Sequence, residues 1–498
     1  MRLGNFLLKR GENMVSITGY GGVNEIGGNK FVIQDEKARI MLDFGLSFST
    51  ANSYLDEFLQ PRKFNGIKDY KELGLLPDIK GIYRTDYLKH TKAPEEALEF
   101  DAVFLSHAHA DHASYVHFLR EDLPIHATPE TFAIMRSIED TAGSSTLADL
   151  CTFTRSFQYG KTKEGKPKRL KSDDEGITIQ RPLKPMKTKV TVGDFEVDAI
   201  PVNHSLLGVT AFLIHTPKGD IAYSGDLRFH GYGGHLTEQF IKKVANVKYL
   251  MMEGTRIDST STKTEAQVQQ EISKTISETK GLVIINWPSR DTDRLWSVYR
   301  AAVENDRLLV ISTKQAHLLE KLLEVGADVP KLDDKNIRIF MTRRGWGFLG
   351  SDAPKEEIER DYSSMKWELT YLNHKNAINY KDLQKDYSKY ALRADLFDMT
   401  ELIDIKPPEN SIYIRSVVEP FDDEMMVSDQ KLRNWMKHFG IMVIQSHCSG
   451  HAPGPDLIRI IKEIQPEFII PIHTVKPRKF RGLGPTCVYP KFGKGIEI

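Results

Sequence analysis

The sequence predicts an α/β protein of two domains, one inserted into the other, and three observations carry that expectation. Apolar runs of strand length end repeatedly in a histidine or an acid. Between residues 240 and 440, strand-like and helix-like segments alternate, the pattern of a mainly parallel sheet with crossover helices. A last apolar run, Phe468–Ile472, ends in His473 beyond that region, so the chain returns to the first domain after the second. The expected segments are 14–239 and 441–498 for the first domain and 240–440 for the insertion. A chain of 498 residues also exceeds one typical core.

Taken in order, residues 14–50 read as short strands joined by glycine turns, ending in Ile40-Met-Leu-Asp43. Residues 51–95 have no clear period and read as an irregular insertion. Ala102–Ser106 leads into His107-Ala-His109-Ala-Asp111-His112, and Ala113–Glu121 reads as a helix with His117 on its surface. The stretch Lys161–Lys189 is hydrophilic, with ten basic residues including Lys166, Lys168, Arg169 and Lys171, and reads as a solvated hairpin tip. Pro201–Asn203 leads into His204, and Ile221–Gly225 into Asp226. The inserted region opens with strand Tyr249–Glu253. Thr264 and Gln267 then form a capping-box pattern for a helix to about Glu278. Strand Gly281–Asn286, helix Thr292–Glu304 and strand Leu308–Ser312 follow. A polar, aromatic-rich segment at 333–405 interrupts the alternation before strand Ser411–Arg415, and Ile441–Ser446 leads back to the first domain.

Composition narrows the class. Hydrophobic content of 40% with 27% charged residues is that of a soluble globular chain. With 68 basic and 68 acidic residues, a uniformly basic surface is excluded, though a basic groove is not. Cys151, Cys448 and Cys487 lack metal-type spacing and fit a reducing compartment. No apolar stretch reaches the roughly 20 residues of a membrane span, and the N-terminal apolar run is too short for a signal peptide. A cytoplasmic protein without membrane attachment is expected.

Residues at the carboxyl ends of sheet strands converge on a shared crevice. Neutral imidazoles and carboxylates gathered there suit a zinc-type ion. A lone histidine at a strand end is usually packing, but four such side chains within six positions are not. These residues resemble the metallo-β-lactamase superfamily, which implies an αββα sandwich. By that resemblance His107, His109 and His204 hold one divalent metal, Asp111 and His112 the second, Asp226 bridges both, and Asp43 supports the site from behind.

Three further motifs resemble the inserted α/β β-CASP domain and its nucleases. Glu253-Gly-Thr-Arg256 is similar to motif A, Ser449-Gly-His451 to motif B, and Pro471-Ile-His473-Thr to motif C. A histidine at motif C marks RNA-processing members, and the group most resembled is ribonuclease J. The implied activity is hydrolysis of RNA phosphodiester bonds by a hydroxide activated by two divalent ions, zinc or alternatively manganese. Asp111, Glu253 and His451 are then the catalytic residues, and His473 joins the ligands of the second metal. His451 protonates the leaving oxygen while Glu253 orients it. Substrate contacts are expected from Ser449, Gly450, Arg228 and His230, with Trp287 stacking on a base and Arg290 holding a phosphate. Lys476, Arg478, Lys479 and Arg481 suggest a phosphate track after motif C. The implied partner is single-stranded RNA, and a homodimer is the implied assembly. The alternatives are a nuclease for single-stranded DNA and a noncatalytic RNA-binding scaffold. The chain departs from the resemblance at Pro453, in the loop Ser416–Pro420, and in ending 25 residues after His473, without a further C-terminal domain.

Overall fold

Two seven-stranded sheets stack face to face, and a third, also of seven strands, stands beside them. The computed structural model describes residues 14–498 except 57, 95, 144–146, 158, 170–177 and 421–422. Lys171 and the centre of the basic hairpin lie outside the described residues.

The first sheet runs Leu183–Pro185, Ile125–Ala127, Ala102–Phe104, Arg39–Leu42, Lys30–Gln34, Ser16–Gly21 and Gly495–Glu497. The second runs Lys189–Val192, Phe195–Pro201, Thr210–His215, Ile221–Tyr223, Tyr249–Glu253, Phe468–Ile472 and Thr486–Cys487. Phe31, Ile33 and Phe104 from one sheet meet Phe212, Met251 and Ile470 from the other in a closed apolar layer. Each such buried side chain contributes about 1.5–3 kcal/mol. Tyr249–Glu253 is buried at every position, because it lies in the middle of its sheet with parallel neighbours on both sides. Helices cover the outer faces, giving the four-layer sandwich expected.

The third sheet is parallel throughout, in the order Ala377–Ile378, Ile337–Phe340, Leu308–Ser312, Tyr390–Arg393, Val283–Asn286, Ile412–Arg415 and Met442–Gln445. Its first helix, Glu265–Glu278, has the capping box, with Thr264 and Gln267 exchanging hydrogen bonds. Two expected boundaries move. Tyr249–Glu253 pairs with strands of the second sheet, so the chain leaves the sandwich after 253 and not at 240. Met442–Gln445 extends the third sheet and returns the chain only after it. Residues 333–405 do not interrupt that sheet but supply three of its strands, which their short length and polar flanks conceal.

Local expectations also change. After a four-residue helix, Ala110–Ala113, the chain tightens into a 3-10 turn, Ser114–Phe118, where a longer helix was expected. His117 is buried against Arg84, Tyr87 and Asp149 and not on the surface. Among the described residues, the 51–95 insertion holds the short helices Lys68–Glu72 and Thr85–His90 and a 3-10 turn, Lys63–Asn65, after the helix Phe48–Tyr54 that overlaps its start.

Candidate metal centre and its cleft

All the strand-end histidines and acids singled out above come together at one edge of the sandwich. His107, His109, His204 and Asp226 present ligand atoms within 4.8 Å of one another, as do Asp111, His112 and His473, and as do Asp226, Glu253 and His451. Asp226 Oδ2 is the common point. It lies 3.7 Å from His107 Nε2, 3.9 Å from His204 Nε2, 3.2 Å from His112 Nε2 and 3.7 Å from His473 Nε2. His109 Nδ1 sits 3.0 Å from His107 Nε2 and 3.2 Å from His204 Nε2. His473 Nε2 is 3.2 Å from Asp111 Oδ2.

A metal fits this cluster. Ligand atoms held tetrahedrally at about 2.0–2.1 Å from an ion lie about 3.3 Å apart, close to the spacing of the three nitrogens. Asp226 Oδ1 is buried and has no hydrogen-bond partner, which buried polar atoms rarely tolerate. Burial holds His107 and His204 well below the ordinary imidazole range and brings His109 to about 4. The neutral ring is the form that binds a cation. Burial opposes charge at His112 too, but Asp226, Asp43 and Asp111 raise its pKa well above the usual value. Burial also opposes charge on Asp226, yet His473, His112 and His451 hold it well below the carboxylate range.

The second nitrogen of each of four histidines is fixed from behind. Ser106 Oγ lies 3.0 Å from His107 Nδ1, Asp43 Oδ2 2.7 Å from His112 Nδ1, Gly450 O 2.6 Å from His204 Nδ1, and Thr255 Oγ1 2.8 Å from His473 Nδ1. Such partners choose the tautomer and aim the ring. Asp43 was expected from sequence; Ser106, Thr255 and the Gly450 carbonyl were not. Serine, threonine and a backbone oxygen carry no metal signature of their own. Asp43 and His473 have φ of 57° and 50°, a left-handed conformation uncommon outside glycine.

His451 stands just outside the cluster. Its Nδ1 lies 3.2 Å from Glu253 Oε1 and 3.9 Å from Asp226 Oδ2. Burial works against its charge, but Glu253 and Asp226 more than offset that and raise its pKa to about 9. Glu253 is itself buried, accepting from the N–H groups of Leu227 and Thr255. Ser449 Oγ accepts from His451 N at 3.2 Å. Pro453 caps the helix Gly454–Ile464 that follows.

Two expected substrate contacts, Arg228 and Trp287, are corrected. Arg228 is fully buried; it pairs with Asp293 at 2.7 Å and donates to Ser449 O at 2.9 Å. His230 Nε2 lies 2.7 Å from that same carbonyl, so both residues hold the His451 loop from beneath. Trp287 has no exposed surface and cannot stack on an incoming base, because the sheet and the Arg393 guanidinium enclose it. Arg290 is half-buried, forms no ion pair among the described residues, and has its pKa lowered by burial.

The third sheet meets this site through the start of helix Thr292–Glu304. Thr292 N donates to Ser205 O, beside His204. Arg294, fully buried, pairs with Glu265 at 2.6 Å and donates to the carbonyls of Ser416 and Cys448. The loop leading to His451 is thus held between the two parts of the molecule.

Residues 77–279 match the family model described as beta-lactamase superfamily domain. Ribonuclease J of Mycoplasma pneumoniae is 23% identical over 476 residues, covering 93% of this chain and 68% of that protein. Ribonuclease J of Pyrococcus abyssi is 24% identical over 488 residues, covering 93% of this chain and 90% of that one. A solved structure described as a protein of unknown function from Enterococcus faecalis V583 shares the fold, with a TM-score of 0.71 and 24% identity over 97% of this chain and all of that one.

Proposed function

We propose that this chain, a ribonuclease J-like protein with a metallo-β-lactamase core, is a metal-dependent ribonuclease whose active site is the cluster around Asp226. The observation that carries the reading is the convergence of His107, His109, Asp111, His112, His204 and His473 on that one carboxylate, with the His451–Glu253 pair beside it. His107, His109, His204 and Asp226 would hold one divalent ion, and Asp111, His112, His473 and Asp226 a second. Zinc is the ion the donor set favours, with manganese the alternative. Ions held there supply Lewis acidity and a water acidic enough to lose its proton near neutral pH.

The chain's own residues do the rest. In this reading single-stranded RNA approaches the Asp226 cluster along the seam between the sandwich and the third sheet, with Ser449, Gly450 and Arg290 as its phosphate contacts. Glu253 occupies His451 Nδ1, leaving Nε2 to donate a proton to the departing sugar oxygen. Three free cysteines agree with a reducing, cytoplasmic setting, and no helix among the described residues is long and apolar enough to cross a membrane.

End-labelled RNA and DNA oligonucleotides of the same sequence, incubated with zinc or manganese, test the reading. Faster cleavage of RNA than of DNA, abolished by chelation, is the expected result. No cleavage of RNA by protein that has bound metal would overturn it.

A further inference from the structure

Chemistry of a second kind begins where the metal site ends. Residues 475–496 contain six lysines and arginines and no acid, in a chain whose charges otherwise balance. The segment leaves the centre directly at His473. Phe480 anchors it by packing against Gly254 of the Glu253 loop, where an added Cβ would lie 2.6 Å from the ring. Lys476 pairs with Asp258. Arg478, Lys479, Arg481, Lys491 and Lys494 are exposed and form no ion pair among the described residues.

This surface is concave. Arg478, Arg481, Pro485, Cys487 and Tyr489 line a hollow of about 780 Å³. Tyr489 is 38% and Phe492 57% exposed, and Phe492 meets Tyr20 edge-on at a centroid distance of 6.1 Å. Unpaired guanidinium groups interleaved with exposed rings are the chemistry that binds single-stranded nucleic acid, cations to the backbone and rings to the bases. Duplexes and folded polyanions offer no free base faces. Arg481 lies eight residues beyond His473, which bounds their separation at about 28 Å.

We propose that the hollow bounded by Arg478, Arg481 and Tyr489 is a second binding site for single-stranded RNA, holding the strand on one flank of the bond being cut. It rests on the ribonuclease reading and deepens it. The site makes affinity depend on RNA length, since only a strand longer than the cleft reaches it.

The test measures binding of fluorescent 4-mer and 20-mer RNA to metal-depleted protein, where no cleavage occurs. The variant Arg478→Ala/Arg481→Ala should bind the 20-mer about tenfold more weakly, with the salt slope reduced by about 1.4 for two lost phosphate contacts. Tyr489→Ala should also weaken the 20-mer several-fold, on the scale of one lost base stack. The control Lys274→Ala/Lys355→Ala, which removes cations elsewhere, should match wild type, and melting curves should confirm that all variants fold. Unchanged 20-mer affinity in the arginine variant would overturn the proposal. So would equal losses for RNA and heparin with no effect of Tyr489→Ala, which would mark a generic polyanion surface. Cleavage of the 4-mer by metal-loaded wild type is scored separately, so a failed ribonuclease reading is distinguished from a failed second site.

Discussion

The sandwich and the inserted sheet both gather polar side chains at the carboxyl ends of their strands, but the two ends are chemically opposite. The sandwich edge carries Asp43, His107, His204, Asp226, Glu253 and His473, all buried. The inserted sheet carries Arg393 and Arg415, already paired with Asp395 and Asp429 at 2.9 Å. At the sandwich edge Asp226 Oδ1 is buried without a hydrogen-bond partner, and in the inserted sheet so are the N–H groups of Trp287 and Arg393. Lone pairs without partners call for a cation, and donors without partners call for an acceptor. Strand ends make a crevice in either case, but the side chains there decide whether it hosts hydrolysis or serves recognition and support.

The largest effect should separate the two edges outright. Asp226→Ala removes the point shared by both clusters, and its loss in turnover should exceed the roughly 10⁴-fold ceiling of a single acid–base group. Elemental analysis should show metal lost as well. Arg393→Ala, at the matching place in the other sheet, should keep both metal and most activity. Equal metal loss in the two variants would break the comparison.

The next effect divides proton transfer from metal binding. His451→Ala should lose roughly 10²–10⁴-fold in kcat with full metal content, because its ring faces Glu253 and not the ligand atoms alone. Glu253→Gln should give a milder version of the same defect. Metal loss from His451→Ala would place that histidine among the ligands.

A third variant probes the seam between the regions. Glu265 and Arg294 form a fully buried ion pair against Cys448. Glu265→Gln leaves the guanidinium buried without its countercharge, which should cost about 3–5 kcal/mol in denaturant unfolding. Stability within about 1 kcal/mol of wild type would show that Ser416 and the backbone suffice to hold Arg294.

Which of these features the sequence disclosed follows from how each is encoded. Metal ligands are rare residue types at short fixed spacing, so His107, His109, Asp111 and His112 stood out, and the strands before His204, Asp226 and His473 were long enough to recognise. The groups that aim them were hidden, since Ser106 and Thr255 are ordinary residues until folding places them behind a ring. Arg228 and Trp287 misled for a related reason. Sequence shows that a side chain is near the site but not which way it faces, and both point into packed interior. The boundaries moved because Tyr249–Glu253 and Met442–Gln445 read as strands, while their partners lie some 200 residues or only about 30 residues away, a matter of pairing that local pattern cannot decide.

The smallest predicted effect bears on that hidden layer. Asp43 accepts from Ser106 N at 2.7 Å, Ser106 Oγ at 2.8 Å, Tyr223 OH at 2.6 Å and faces His112 Nδ1 at 2.7 Å. Asparagine has the same shape but turns one acceptor into a donor, so it must oppose at least one of those N–H or O–H groups. His112 would keep its place in the packing and lose the carboxylate that fixes its tautomer. Removing such a partner typically costs 10–100-fold in metal affinity, so Asp43→Asn should bind the ion at Asp111, His112 and His473 that much more weakly, with the other ion little affected. Titration of metal-depleted protein with zinc should then show two separated affinities where wild type shows closer ones. If both sites weaken together, Asp43 acts on the shape of the whole edge through Ser106 and Tyr223, and the two clusters behave as one unit.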